Sequence, residues 1–432
     1  MELQKAQATE GRSYRFYVLA MLTITAMFSI VDRLILSILL QDIKTEFQFT
    51  DTQIGLITGI AFTLFYVLFS VPLGWIADHQ NRKTIVAICL AAWSAMTAFH
   101  GAAVGFWSLF LCRIGVGIGE AGSGPASSSL LADYFQEHEL AKAFGVLTLG
   151  ATAGTGLGLM TGGFIADLWG WRMAFVVLGV PGIILAGVIY LTIKEPERGR
   201  YASQPPTTTN DSWRQTMASL ARNTVYVRVT ISYALLNVIG YAMVLWLAAI
   251  MIRNFGLSTG DVGFYLGVAF IVGGIPGPIL GGYLGDILAK KNPKWRAWLP
   301  AIAGLVCLPV YFVCVIMTSS FLSFLALFCL GYFIFLFATP STLALMQLSV
   351  GPQQRASALA IAMLVNNLVG QAIGAFLVGA LSDALAPAFG TMSLNYAVIS
   401  ICVIFGVPGA LYYVWTAAAI ERENMISPQK GQ

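Results

Sequence analysis

Asp32 and Arg33 stand together inside one long apolar stretch of the chain, and Arg113 and Glu120 stand inside another. A charge in hydrocarbon costs about 2.5–3.5 kcal/mol or more, so a chain keeps one where it faces a partner, a cavity or a pathway. Buried carboxylates in that setting carry protons, and an arginine, which does not discharge, needs an anion beside it. The chemistry implied is proton exchange at Glu120 and Asp32, and capture of an anionic group by Arg113 and Arg33. Arg113, Gly117, Glu120, Gly124 and Ser128 recur at helical spacing and define one stripe. Arg113 and Glu120 are two turns apart, about 10 Å along the axis. That is too far for a bond between them and near enough to flank one ligand. Asp32 lies at a similar depth to Arg113 and is its expected partner. Adjacent on a helix, Asp32 and Arg33 point to different faces. A purely structural charge network is the alternative, although buried ion pairs are poor stabilisers.

The elements that hold these residues are membrane helices. The chain is 57% hydrophobic and 10% charged, outside the range of soluble domains. Runs of about 20 apolar residues repeat along it. They predict an all-α membrane protein of twelve transmembrane helices in two six-helix halves. The expected spans are 17–40, 52–77, 84–104, 106–132, 140–166, 172–193, 224–252, 260–288, 297–318, 321–348, 355–382 and 392–419. They are rich in glycine and lack a period of two, which excludes barrel strands. The polar start Met1–Arg15 runs directly into a full span, so no cleavable signal peptide is expected. Most Lys and Arg fall on one set of loops, against only Lys44, Arg172 and Arg253 on the other. This bias places both termini in the cytoplasm and the chain in a cell membrane, a bacterial inner membrane being expected.

Several function classes are excluded. The net charge of +4 comes from the loops, without the basic stripe and stacking aromatics that nucleic acid requires. Cys89, Cys112, Cys307, Cys314, Cys329 and Cys402 all fall in apolar spans and read as small hydrophobes, not disulfides. His79, His100 and His138 are scattered, so no metal is expected. No glycine-rich loop ends in a lysine, so no ATP drive and no cofactor are expected. No nucleophile–base pair suggests an enzyme.

The chain contains a repeat. Gln53-Ile-Gly-Leu-Ile-Thr-Gly-Ile-Ala-Phe62 lies over Asp261-Val-Gly-Phe-Tyr-Leu-Gly-Val-Ala-Phe270 without a gap. The same register lays Asp78 over Asp286, and Arg82 and Lys83 over Lys290 and Lys291. Two parallel halves follow, 1–193 and 223–432, joined by a cytoplasmic linker at 194–222. Within the linker, Trp213-Arg-Gln-Thr-Met-Ala-Ser-Leu220 is either a short surface helix or a plain loop.

Gly74-Trp-Ile-Ala-Asp78-His-Gln-Asn-Arg82-Lys83 resembles the signature loop of the major facilitator superfamily, with His79 where that signature has a basic residue. The resemblance implies a gating role: Asp78, Arg82, Lys83 and the repeat partner Asp286 make charge bridges that hold one conformation closed. Gly145, Gly154, Gly158, Gly162 and Gly163 match the superfamily's antiporter motif, except that Leu159 stands where the motif has proline. Close helix packing accounts for them equally well. Val31-Asp32-Arg33, Arg113 to Pro125, and Asp133-Tyr-Phe135 resemble the Spinster family, proton-linked transporters whose animal members are implicated in sphingosine-1-phosphate and lysophospholipid movement.

The repeat sharpens the expected substrate. Asp32 and Arg33 correspond to Gly240 and Tyr241, and alignment of Pro125 with Pro340 sets Arg113 against Phe328 and Glu120 against Phe335. One charged wall and one aromatic wall suit an amphiphile, with Tyr241 and Phe335 toward its tail, although phenylalanine also serves packing. Pro276 and Pro278 suggest a break in span eight. The expectation is a proton-coupled secondary transporter working by alternating access as a monomer in the bilayer, for an anionic amphiphile such as a lysolipid or sphingoid phosphate. A proton/drug efflux antiporter is the alternative within the class. A lipid scramblase, which needs no titratable centre, is the alternative outside it.

Overall fold

The computed structural model describes residues 2–198, 200, 213–351 and 354–426, and among them every regular element is helical. Among the described residues ten stretches are long and apolar enough to cross a membrane. The last of these, Ser357–Ile420, holds two helices, and 106–134 supplies a further one. The twelve are α1 (Glu2–Phe47), α2 (51–79), α3 (Arg82–His100), α4 (106–134), α5 (Glu137–Trp169), α6 (Trp171–Thr192), α7 (Thr224–Phe255), α8 (259–291), α9 (295–317), α10 (321–348), α11 (355–389) and α12 (Ser393–Ile426). Trp213–Arg222 is a short helix, which decides between the two readings of that stretch. Leu220 anchors it, buried against Tyr226, Val350 and Ala358.

Several spans are interrupted, and the interruptions follow the sequence. α4 breaks at Gly122, three residues before Pro125, and α10 breaks at Ala338, two before Pro340. α8 breaks at Ile275 and restarts with Pro276 in its first turn, where a missing N–H is harmless. The stripe expected to run from Arg113 to Ser128 is therefore cut at Gly122. α2 and α11 each contain a π-helical segment, Leu56–Ile60 and Asn367–Ile373, of the kind that accumulates at functional sites.

The chain forms two compact units that do not follow chain order throughout. The first takes the N-terminal helices but not Phe49–Ile60, and it adds Ser258–Gly267. The second takes the C-terminal helices together with Phe49–Ile60. In the first unit, α1 lies tightly against α5 because glycines remove the intervening side chains. A Cβ on Gly154 would stand 2.7 Å from the Met27 carbonyl, and one on Gly158 would stand 3.0 Å from Val31. Gly163 packs on the Thr259 carbonyl in the same way, at 2.5 Å. The glycine series thus seats the helix that carries Asp32 and Arg33. Gly145, which has nothing within 4 Å, is an internal control. Gly154→Val is expected to lower the thermal unfolding midpoint in detergent by several degrees through overpacking, about 1–3 kcal/mol. Gly145→Ala is expected not to lower the midpoint, and to raise it slightly, because alanine favours a helix interior by about 0.5–1 kcal/mol over glycine.

Candidate functional site

The first unit brings Asp32, Arg33, Arg113 and Glu120 into one cluster. Arg33 Nε donates to Glu120 Oε2 at 2.5 Å, and Ser29 Oγ donates to the same oxygen at 3.1 Å. The guanidinium of Arg33 lies over Phe62 and Tyr66, 5.0 and 4.8 Å from the ring centres, and those two rings are stacked. Arg113 lies over the Phe62 ring as well, at 4.9 Å. Phe62 is therefore shared by both cations. Each such contact is worth about 0.5–2 kcal/mol, more when water is excluded. A Cβ on Gly117 would meet the Phe62 carbonyl at 2.5 Å, so this glycine, one turn after Arg113, lets α2 and α4 approach closely enough for this arrangement.

The expected pairing of Arg113 with the Asp32 carboxylate is not what the structure shows. Arg113 Nη1 donates to the Asp32 backbone carbonyl at 3.1 Å and Nη2 to the Arg33 carbonyl at 3.0 Å. A helical carbonyl has a second lone pair, and two charge-assisted bonds to such oxygens hold an arginine firmly. Arg113 is only 1% exposed, so it ties α4 to α1 from inside. The side chain of Arg33 is 22% exposed against 1% for Glu120. Of the two arginines, Arg33 is the accessible one. The Asp32 carboxylate has Trp93 and Thr97 on α3 among its polar neighbours. Among the described residues both of its oxygens lack a hydrogen-bond partner, as do Trp93 Nε1, Thr97 Oγ1, Arg113 Nε and Glu120 Oε1, which marks a polar interior suited to bound water. His100, one turn beyond Thr97, is buried with its ring stacked on Phe175 at 4.8 Å.

Tyr241 and Phe335 lie in the second unit. Tyr241 donates to Asn367 Oδ1 at 3.2 Å, beside the π-helical segment of α11, and Phe335 covers Gly240. Of the gating set, the Asp78 side chain lies outside the described residues. Arg82 is fully buried and bonds Asp133, Glu195 at 2.7 Å and Ser129. The Lys83 backbone N–H donates to Glu195 at 3.0 Å, and its Nζ donates to the Tyr190 carbonyl at 3.2 Å. Asp286 pairs with Arg296 at 3.2 Å, across its own α8–α9 turn.

Sequence reasoning missed a second charged group. Arg253 holds Asp51 with two bonds, 2.9 and 2.7 Å, and Ser382 Oγ adds a third at 2.7 Å. Asp383 accepts from the Asp51 and Thr52 backbone N–H groups at 2.9 and 2.7 Å, capping the start of α2. These bonds fix 49–60 within the second unit. In the first unit, Asp42 and Asp167 bind Thr259 and Ser258 at 2.9 and 2.7 Å, fixing 258–267. Breaking either anchor is expected to loosen its segment. Asp51→Asn is expected to raise the thiol-labelling rate of Thr58→Cys, a buried position, at least tenfold, since a buried pair broken on one side loses about 3–5 kcal/mol.

Residues 22–375 match the family model of the Major Facilitator Superfamily. The chain belongs to that superfamily. A superfamily member is a transporter that crosses the membrane many times. An MFS-type efflux pump of Mycolicibacterium smegmatis is 31% identical over 405 residues, covering 94% of this chain and 93% of that one. Protein spinster homolog 1 of Homo sapiens is 26% identical, covering 94% of this chain and 81% of its own. A crystal structure of a bacterial homolog of the human lysosomal transporter Spinster, inward-facing and unoccupied, superposes with a TM-score of 0.88 at 25% identity, covering 96% and 99%. The chain is a Spinster-type member of the superfamily, and the cluster around Arg33 lies within the matched residues.

Proposed function

We propose that the chain moves an anionic amphiphile across a cell membrane in step with a proton, with both termini in the cytoplasm. The Arg33–Glu120 pair carries this reading. Asp32, Arg33, Arg113 and Glu120 sum to zero charge when ionised. An anion that replaces Glu120 on Arg33 would leave the cluster one charge negative in a desolvated setting, which is strongly disfavoured. Uptake of one proton restores neutrality, so anion and proton are bound together. Glu120 is the exchanging carboxylate and Asp32 a second proton site. Arg33, not Arg113, presents the cation to substrate, and Arg113 positions the α1 backbone. Tyr241 and Phe335 are assigned to the apolar tail. Movement follows from rocking of the two halves, with Asp78, Arg82, Lys83 and Asp286 at the controlling turns.

The 31% identity to an MFS-type efflux pump, over 94% of this chain, supports a second reading, proton-driven drug export. Proteoliposome uptake of lysophosphatidylglycerol, a sphingoid phosphate and a cationic drug, each with and without a proton gradient, separates these. Accumulation of the anionic lipids driven by the gradient supports the first reading, and of the cation the second. Equilibration independent of the gradient would point instead to a scramblase.

A further inference from the structure

The repeat supplies an internal comparison. In the first unit, the cation after the α2 turn, Arg82, is buried on Asp133 and Glu195. In the second, the register that lays Asp78 over Asp286 puts Lys290 at that position. The register that lays Pro125 over Pro340 puts Leu348 where Asp133 stands. The two registers meet in space: Lys290 and Leu348 line one cavity of about 440 Å³, with Arg296, Leu345, Ser349 and Ile420.

We propose that this cavity binds a phosphate group, supplied by the headgroup of an anionic phospholipid. A carboxylate fills the corresponding place in the first unit. Here two cations face a leucine. Among the described residues Lys290 has no ion pair, and Arg296 has the 3.2 Å bridge to Asp286, whose side chain is 68% exposed and so well screened. Leu345, Leu348 and Ile420 give the cavity an apolar side, and basic pockets between membrane helices suit such headgroups. Exposed Trp298, two residues past Arg296, and Trp415, five before Ile420, are the aromatics expected at headgroup depth.

Native mass spectrometry of the purified full chain, titrated with phosphatidylglycerol and with phosphatidylcholine, tests this. Two variants probe the site differently. Lys290→Ala/Arg296→Ala removes the cations. Leu348→Asp, at a side chain already 58% exposed, restores the carboxylate of the first unit and leaves the cations in place. Phosphatidylglycerol is expected to bind the parent in preference to phosphatidylcholine, and each variant to lose that preference, roughly 30-fold for the double variant. Millimolar orthophosphate is expected not to displace the lipid. If orthophosphate displaces it, and broadens in ³¹P NMR with the parent but not the variants, the phosphate site stands and the lipid source is overturned. Equal phosphatidylglycerol binding by all three proteins, with no orthophosphate effect, overturns the proposal.

Discussion

Glu120→Gln is expected to abolish gradient-driven accumulation, by at least a factor of ten, while the protein still inserts and binds substrate. Glu120 accepts both the Arg33 guanidinium and the Ser29 hydroxyl on one oxygen. A glutamine carbonyl occupies the same place and keeps a hydrogen bond, so the fold is preserved. What is lost is the exchangeable charge. With Asp32 ionised, the cluster then carries one excess positive charge, which the bound anion itself neutralises, so anion binding no longer requires proton uptake. Gradient-free exchange of labelled substrate across proteoliposomes is expected to continue, and to become insensitive to pH. Parent-like accumulation in Glu120→Gln would remove this residue from the coupling.

The second large effect is at Arg33. Arg33→Lys is expected to weaken binding of lysophosphatidylglycerol at least tenfold, and binding of an uncharged monoacylglycerol about twofold or less, by calorimetry. Lysine keeps the charge but loses the planar fork that bonds an oxyanion in two places and lies flat on Phe62 and Tyr66. Arg113→Lys behaves differently. Its two bonds go to the backbone of α1, so the loss falls on thermal stability and on both ligands equally. Equal losses of both ligands in Arg33→Lys would give Arg33 the same structural role.

The spans were legible because desolvation leaves apolar runs little freedom, and the four deep charges were legible because such charges are costly. Their pairing was not. Which of two adjacent residues faces α4 depends on how α1 is rotated, and that is set by contacts such as Gly154 on Met27, which no spacing rule encodes. A side chain bonding to main chain, as Arg113 does, also leaves no pattern in the sequence. The glycine series read as an antiporter motif is, in position, a packing surface for α1 at Gly154 and Gly158. Asp51 and Arg253 were illegible for another reason. Charges at the ends of spans look like solvated loops, and Arg253 was counted with the outer positive charges. Only the fold joins it to a carboxylate 202 residues away. Arg82 is similar: its partners lie 51 and 113 residues on.

The proposed exchange of Glu120 for a substrate anion on Arg33 is tested most directly by counting protons on binding. Lysophosphatidylglycerol is suited to this, because its phosphodiester keeps one charge across the working pH and does not itself titrate. Binding enthalpy of the purified protein, measured at one pH in buffers of different ionisation enthalpy, reports protons taken up per ligand. The parent is expected to take up about one proton and Glu120→Gln none, by the charge balance of the cluster. Binding without proton uptake in the parent, or equal uptake in both proteins, would contradict the coupling placed at this pair.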